Sequence, residues 1–321
     1  MEGDEGKGEE IEKVKNREVP WWNTRSVRVF FFIFSVLLIG YVVYLAATNF
    51  WEIRDKFFSA KRWYLILSFI FLFIYDLGLA YSWKVVIAKG KATFKDAFII
   101  LYFSQLGKYL PGKIWSYVAQ VGLLQKFNIK PKEAALLTFI FYTASILGII
   151  TFSGIAYGLY KNSLNIVVMS LGGVLTLLFV VFKTYLGDYY QYLIKGYLAL
   201  LVADFIGWVA FYLLLFSIYP VSFRESLAIA MSFYVSWFIG WIALFSPGGL
   251  GIREGVNTWF LHKVLGYSLG FSSFFPLMTR VMITVAEAVL ILIAFIMGKR
   301  EGLLDFKVKG REGTPSTPYE D

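Results

Sequence analysis

The chain has 321 residues, of which 58% are hydrophobic and 20% aromatic, while only 17% are charged. With mean hydropathy at +0.63 and charge well below the quarter usual in soluble domains, a soluble globular fold is excluded in favour of a polytopic membrane protein. There is no cysteine and one histidine, His262, which excludes disulfide and thiol chemistry and argues against a metal centre or other cofactor. The net charge of +9 reads as cytoplasmic loop bias and attraction to anionic headgroups, not as nucleic-acid binding.

Residues 1–26 are charged and poor in apolar residues until Trp21-Trp22, the pattern of a disordered cytoplasmic tail ending in an interfacial aromatic anchor. No cleaved signal peptide is evident. A first span is expected at about Val27–Phe50, then a short amphipathic interfacial helix over Glu52–Arg62. The second span, about Trp63–Ala88, carries Asp76 near its middle, and a basic loop, Lys89–Lys95, follows it. The run Asp96–Leu110 reaches only about 22 Å as a helix. It ends at Leu110-Pro111-Gly112-Lys113, and a second short run, Ile114–Phe127, comes after. Two short arms around a Pro-Gly break predict a re-entrant hairpin.

After a basic loop at Asn128–Lys132, spans are expected at about Glu133–Tyr160 and Leu164–Phe182, with a tyrosine-rich interfacial piece from Lys183 to Lys195. The next span, about Gly196–Tyr219, contains Asp204. An apolar run, Leu227–Phe245, then meets a second break and continues as Val256–Leu265, with His262 expected in a solvated loop. The last span, about Phe271–Met297, carries Arg280 and Glu287, and residues 299–321 read as a polar cytoplasmic tail. The expected fold is an all-α polytopic membrane protein with a single membrane domain over 27–298. It has about six full spans plus two Pro-Gly-broken re-entrant helical hairpins. The arm before Pro247 is also long enough to span, which leaves eight crossings open.

Two segments echo each other. Thr93-Phe94-Lys95-Asp96-Ala97 matches Ser222-Phe223-Arg224-Glu225-Ser226 class for class, and both read as capping boxes that start helices. Each follows an aspartate inside a span at similar spacing, Asp76 to Phe94 and Asp204 to Phe223, and each leads into a Pro-Gly break. Counting crossings from a cytoplasmic N-terminus puts the two blocks on opposite sides. That is an inverted repeat with halves at about 63–160 and 196–297, an architecture that builds a site at the bilayer midplane.

The second break reads Ser246-Pro247-Gly248-Gly249-Leu250-Gly251-Ile252-Arg253-Glu254-Gly255. Pro247 cannot donate inside a helix, and Gly249 and Gly251 tolerate backbone angles that other residues resist. The helix that starts after the break offers free N–H groups and a positive dipole end beside Arg253, which suits an anion such as phosphate. The bland alternative is a kink or a close helix crossing. Arg253 and Glu254 are neighbours on one helix and do not face each other, so each needs its own partner. Arg280 and Glu287 share a face but lie about 10 Å apart along it, so a third group is expected between them. Glu254 is the expected partner of Arg280, leaving Arg253 for a phosphate. The substrate-binding candidates are therefore Arg253, Glu254, Gly249, Gly251, Pro247, Lys113, Lys108, Gly112, Arg280 and Glu287. Asp76 and Asp204 are candidates for ion or proton coupling, with a structural hydrogen bond as the alternative, just as the charged pairs could serve only to fix helix packing.

At this block, together with Gln105-Leu-Gly-Lys-Tyr-Leu-Pro-Gly-Lys-Ile-Trp115, the chain resembles the lysylphosphatidylglycerol synthase transmembrane family over roughly residues 25–300. These are flippase-like membrane domains. The resemblance implies movement of an anionic, aminoacylated or polyprenyl-phosphate lipid between leaflets of the cell membrane, with both termini cytoplasmic. The chain ends about 24 residues after the last span, so the cytosolic aminoacyl-transferase domain of bifunctional members is expected to be absent and no enzyme activity is carried over. Enzyme motifs such as Gly-x-Ser-x-Gly or His-Glu-x-x-His are missing, as is a Walker A site. The alternative is a non-transporting accessory subunit that presents a lipid phosphate to a partner glycosyltransferase or aminoacyltransferase.

Overall fold

A computed structural model describes residues 25–87, 92–109, 114–243 and 246–304. Residues 1–24 and 305–321 of the predicted tails (1–26 and 299–321), residues 89–91 of the basic loop after the second span, and the first break with Gly112 and Lys113 lie outside the described residues. Among the described residues every regular element is helical, and five segments are long and apolar enough to cross a membrane: Arg62–Val86, Pro131–Tyr160, Leu164–Ile218, Phe223–Ile242 and Leu269–Arg300. The protein is an all-α membrane protein.

Helix α1 (Arg25–Thr48) is followed by the short α2 (Arg54–Phe58) and by α3 (Arg62–Val86). The first broken element comprises α4 (Phe94–Ser104), a 3-10 stretch Gln105–Tyr109 and α5 (Ile114–Leu124). Helix α6 (Pro131–Tyr160) begins two residues earlier than expected, because Pro131 at the first helical position has no N–H to leave unsatisfied. Then come α7 (Leu164–Thr176), a π-helical stretch Leu177–Phe182, α8 (Lys183–Leu186) and α9 (Tyr190–Ile218). As one straight helix Leu164–Ile218 would extend about 80 Å, far beyond a hydrocarbon core of roughly 30 Å. Instead Gly187, at φ 51°, breaks it, and the Phe179 ring lies 6.4 Å from that of Tyr190. The break falls in the predicted interfacial piece.

The two echoing segments build matching structures. Thr93 caps α4, with its backbone N–H donating to Asp96 Oδ2 at 2.8 Å and its Oγ1 accepting from Asp96 N at 3.3 Å. Ser222 caps α10 (Phe223–Ile242) in the same way, with Glu225 at 2.8 and 3.3 Å. After both breaks the chain reverses. In the first, a Cβ on Gly107 would lie 2.4 Å from Ser116 N, and Gln120 Nε2 donates to Ser104 Oγ at 3.1 Å, so α5 runs back along α4. In the second, α11 (Ile252–Trp259) runs back along α10: Gly240 abuts Arg253, and Ser232 Oγ meets Asn257 Oδ1 at 2.8 Å.

Helices α3 and α9 pack antiparallel. Ser68 Oγ donates to Ala210 O at 2.8 Å, Tyr75 lies on Gly207, Gly78 on Ala203 and Val86 on Gly196, so numbers rise on one helix as they fall on the other. Such small residues let two backbones approach where lipid offers no hydrophobic drive to associate. Asp76 and Asp204 flank these contacts, and each backbone carbonyl accepts from a tyrosine of the following helix: Tyr102 Oη at 2.7 Å and Tyr234 Oη at 3.0 Å.

Helix α12 (Leu269–Arg300) closes the fold. Its N-terminus is satisfied twice, by Ser268 Oγ accepting from Phe271 N at 3.3 Å and by Glu52 Oε2 accepting from Gly270 N at 2.9 Å. The segment leading into α2, expected to be interfacial, is thus pinned to the start of α12. His262 differs from expectation: it sits in a π-helical turn, Phe260–Val264, and its Nδ1–H donates to Tyr267 O at 2.9 Å. The Tyr267 carbonyl, in the loop that follows the turn, holds the ring that loop composition assigned to solvent.

Candidate functional site

The two breaks meet. The 3-10 turn Pro247–Gly249 carries Gly248 at φ 57°, Gly249 at φ 73° and, just beyond, Gly251 at φ 79°, a run of left-handed angles for which glycine is suited. A Cβ on Gly248 would lie 3.4 Å from Arg280 Nη2 and 3.8 Å from the Tyr109 ring, which places the second break between α12 and the end of the first arm.

Arg280 ties this junction together. Its Nη1 donates at 3.2 Å to Gly248 O and at 3.2 Å to Glu254 Oε1, the pair expected from the sequence. The other oxygen of Glu254, Oε2, accepts from Gly251 N at 2.7 Å. Glu254 therefore caps its own helix, and the helix end read from sequence as free N–H groups is partly closed by a carboxylate. The third group expected near Glu287 is supplied by the first break: Lys108 Nζ bonds Glu287 Oε1, and Tyr109 Oη donates to Oε2 at 3.1 Å.

Arg253 differs from the other cations. Its guanidinium lies over the Trp237 ring, 5.1 Å from the centroid, and its Nε is buried with no hydrogen-bond partner. Among the described residues Arg253 makes no ion pair and no hydrogen bond through its side chain. Lys108 is engaged by Glu287 and Arg280 by Glu254, which leaves Arg253 as the cation of the cluster that makes no ion pair among the described residues. Two glycines fix its direction. A Cβ on Gly240 would lie 2.3 Å from Arg253 Cγ, and one on Gly249 2.8 Å from Nε, so the stem runs through a slot that side chains at either position would fill.

The guanidinium faces a cavity of about 190 Å³, which Asp76, Asp204, Tyr102, Tyr234 and Trp237 also line. Lys108 and Glu287 stand at its edge. Asp204 is 5% exposed, and its Oδ2 lies 2.8 Å from where a Cβ on Gly148 would sit. Neither aspartate makes an ion pair among the described residues.

Of the predicted site residues, Lys108, Gly249, Gly251, Arg253, Glu254, Arg280 and Glu287 gather at the junction, and Pro247 opens the turn that presents them. Asp76 and Asp204 lie across the cavity. Tyr109 and Trp237 were not expected from sequence. Tyr109 could have been suspected from its place next to Lys108, whereas Trp237 is one of 10 tryptophans and nothing in its local sequence sets it apart. Against family models, curated proteins and solved structures, the chain finds no match.

Proposed function

We propose that the protein is a lipid translocator of the cell membrane, moving a lipid with a phosphate-bearing anionic headgroup between leaflets. The carrying observation is Arg253: a guanidinium with a buried Nε, lining a cavity inside a membrane protein, that makes no ion pair among the described residues. A buried charge is costly unless paired, and a phosphate offers the bidentate partner a guanidinium fits. At roughly 30 Å³ per water, the cavity has the volume of about six waters, room for a headgroup but not for acyl chains, which would stay in lipid.

In this reading the two reversals are re-entrant hairpins entering from opposite sides. The matched capping boxes, the matched Tyr–Asp carbonyl bonds and the antiparallel α3–α9 pair support an inverted repeat with the headgroup site between its halves. Both termini are cytoplasmic. The resemblance to the lysylphosphatidylglycerol synthase transmembrane family points the same way and rests on the same residues.

The test is a reconstitution. Purified protein is placed in liposomes carrying headgroup-labelled phosphatidylglycerol or polyprenyl phosphate, and label protection from an impermeant quencher is followed. Protein-dependent movement that Arg253→Ala abolishes supports the proposal. Binding through Arg253 with no movement of either lipid replaces the translocator with a lipid-presenting subunit, and no movement and no binding removes Arg253 as a headgroup site.

A further inference from the structure

We propose that anion binding at Arg253 is linked to proton uptake by Asp76 and Asp204, so that the headgroup travels with a proton. This rests on the headgroup reading above and specifies how that site is driven. The two carboxyls are the unused charges of the cavity. Lys108 engages Glu287, and Arg280 engages Glu254. What remains facing the space is one cation, Arg253, and two carboxyls, none of the three in an ion pair among the described residues. Asp204 is 95% buried by its 5% exposure, and its side chain makes no hydrogen bond among the described residues. At Asp76, Tyr102 Oη donates to the backbone carbonyl at 2.7 Å and stands beside the carboxyl as well, a neutral partner that leaves the charge unpaired.

Charge in such a space interacts strongly, because little water screens it. When a phosphodiester takes up the charge of Arg253, the negative charge of the aspartates loses its nearest counterweight. A proton on one of them restores the balance. Linkage is reciprocal: if the anion favours the proton, the proton favours the anion by the same factor. A proton suits the site better than a metal cation. Metal ions in transporters use carbonyls freed by unwound helix. Here α3 and α9 run unbroken through Asp76 and Asp204, and both of those carbonyls already accept from tyrosines.

Other ionisable groups face the pair. Glu287 on α12 and Lys108 at the first break face Asp76 and hold each other. Tyrosines face it from the remaining elements: Tyr75 on α3, Tyr102 on α4, Tyr117 on α5, Tyr142 on α6, Tyr197 on α9 and Tyr234 on α10. A phenol ionises near pH 10, so between pH 5.5 and 7.5 the tyrosines donate and accept hydrogen bonds without changing charge. That leaves the aspartates as the carboxyls of the cavity that no cation engages.

The test counts protons on binding. Protein purified in detergent is titrated with the water-soluble headgroup sn-glycero-3-phospho-1′-glycerol, by calorimetry in buffers of different ionisation enthalpy, between pH 5.5 and 7.5. Expected is uptake of up to one proton per headgroup, with affinity falling by up to tenfold per pH unit as pH rises. Asp76→Asn and Asp204→Asn should each reduce the proton count, and the double variant should bind through Arg253 with no pH dependence. Binding by wild type with no proton exchanged overturns the coupling and leaves the anion site standing, as does a double variant with the wild-type proton count. Binding that Arg253→Ala does not weaken, or no binding at all, overturns the anion site and the coupling together. Should an asparagine variant fail to fold, the wild-type proton count still decides.

Discussion

Glu254 is the residue whose removal should be felt most widely. Its side chain is 2% exposed and both oxygens are engaged, one by Arg280 at 3.2 Å and one by the Gly251 N–H at 2.7 Å. Glu254→Ala leaves the Arg280 guanidinium with only Gly248 O and leaves the N–H of Gly251, the cap residue of α11, unsatisfied. Breaking a buried ion pair from one side costs about 3–5 kcal/mol, and a lost cap about 1 kcal/mol. The two terms share one carboxylate and do not add, so about 3–5 kcal/mol is expected overall. Glu254→Gln keeps one acceptor and should cost less, about 1–3 kcal/mol. Replacing both charges, Glu254→Gln with Arg280→Met, should recover part of the loss, because neither partner is then left as an unpaired buried charge. Thermal denaturation of wild type and the three variants in one detergent measures this. At roughly 2 °C per kcal/mol, Glu254→Ala should melt about 6–10 °C below wild type. A Glu254→Ala protein melting within about 1 °C of wild type, or a double variant less stable than Glu254→Ala, would refute the arrangement.

Gly240→Ala places a methyl 2.3 Å from Arg253 Cγ, so it should lower affinity for the soluble headgroup nearly as far as Arg253→Ala while changing no charge. Gly40→Ala, where nothing lies within 4 Å, should bind like wild type, and isothermal titration distinguishes them. Tyr102→Phe and Tyr234→Phe each remove one hydrogen bond to an aspartate carbonyl, and each should cost about 1 kcal/mol in thermal stability. Unequal effects, with one near zero, would argue against the two halves being built alike. Glu52→Ala frees the Gly270 N–H and should loosen the start of α12, read as faster amide exchange there than in Glu133→Ala.

The helical spans were legible because their signal is additive: some twenty apolar residues in a row are needed to cross a bilayer, and few other structures use them. The capping boxes at Thr93 and Ser222 were legible because the chemistry is confined to four residues. The Arg280–Glu254 pair came from elimination, since charges in apolar helices need partners and few were on offer. Other features are long-range. That Lys108 reaches Glu287, 179 positions later, depends on how the two breaks dock, and spacing carries no record of it. Trp237 under Arg253 depends on α11 folding back along α10. The helix start at Gly251 looks open in the sequence because a glycine carries no capping side chain, whereas the carboxylate of Glu254 reaches back to the glycine N–H. His262 was misplaced because a polar residue near a chain reversal can be held by a backbone carbonyl as readily as by water.

The contact between Arg253 and a lipid phosphate is open to direct measurement. Protein carrying ¹³C-labelled arginine is reconstituted with phosphatidylglycerol, and the dipolar coupling from guanidinium carbon to ³¹P is recorded in frozen membranes. A bidentate phosphate holds the two nuclei about 4 Å apart, so a dephasing signal is expected in wild type that disappears in Arg253→Lys. A signal that persists in Arg253→Lys, or no arginine within reach of any phosphorus in wild type, would contradict the assignment of Arg253 as the headgroup site.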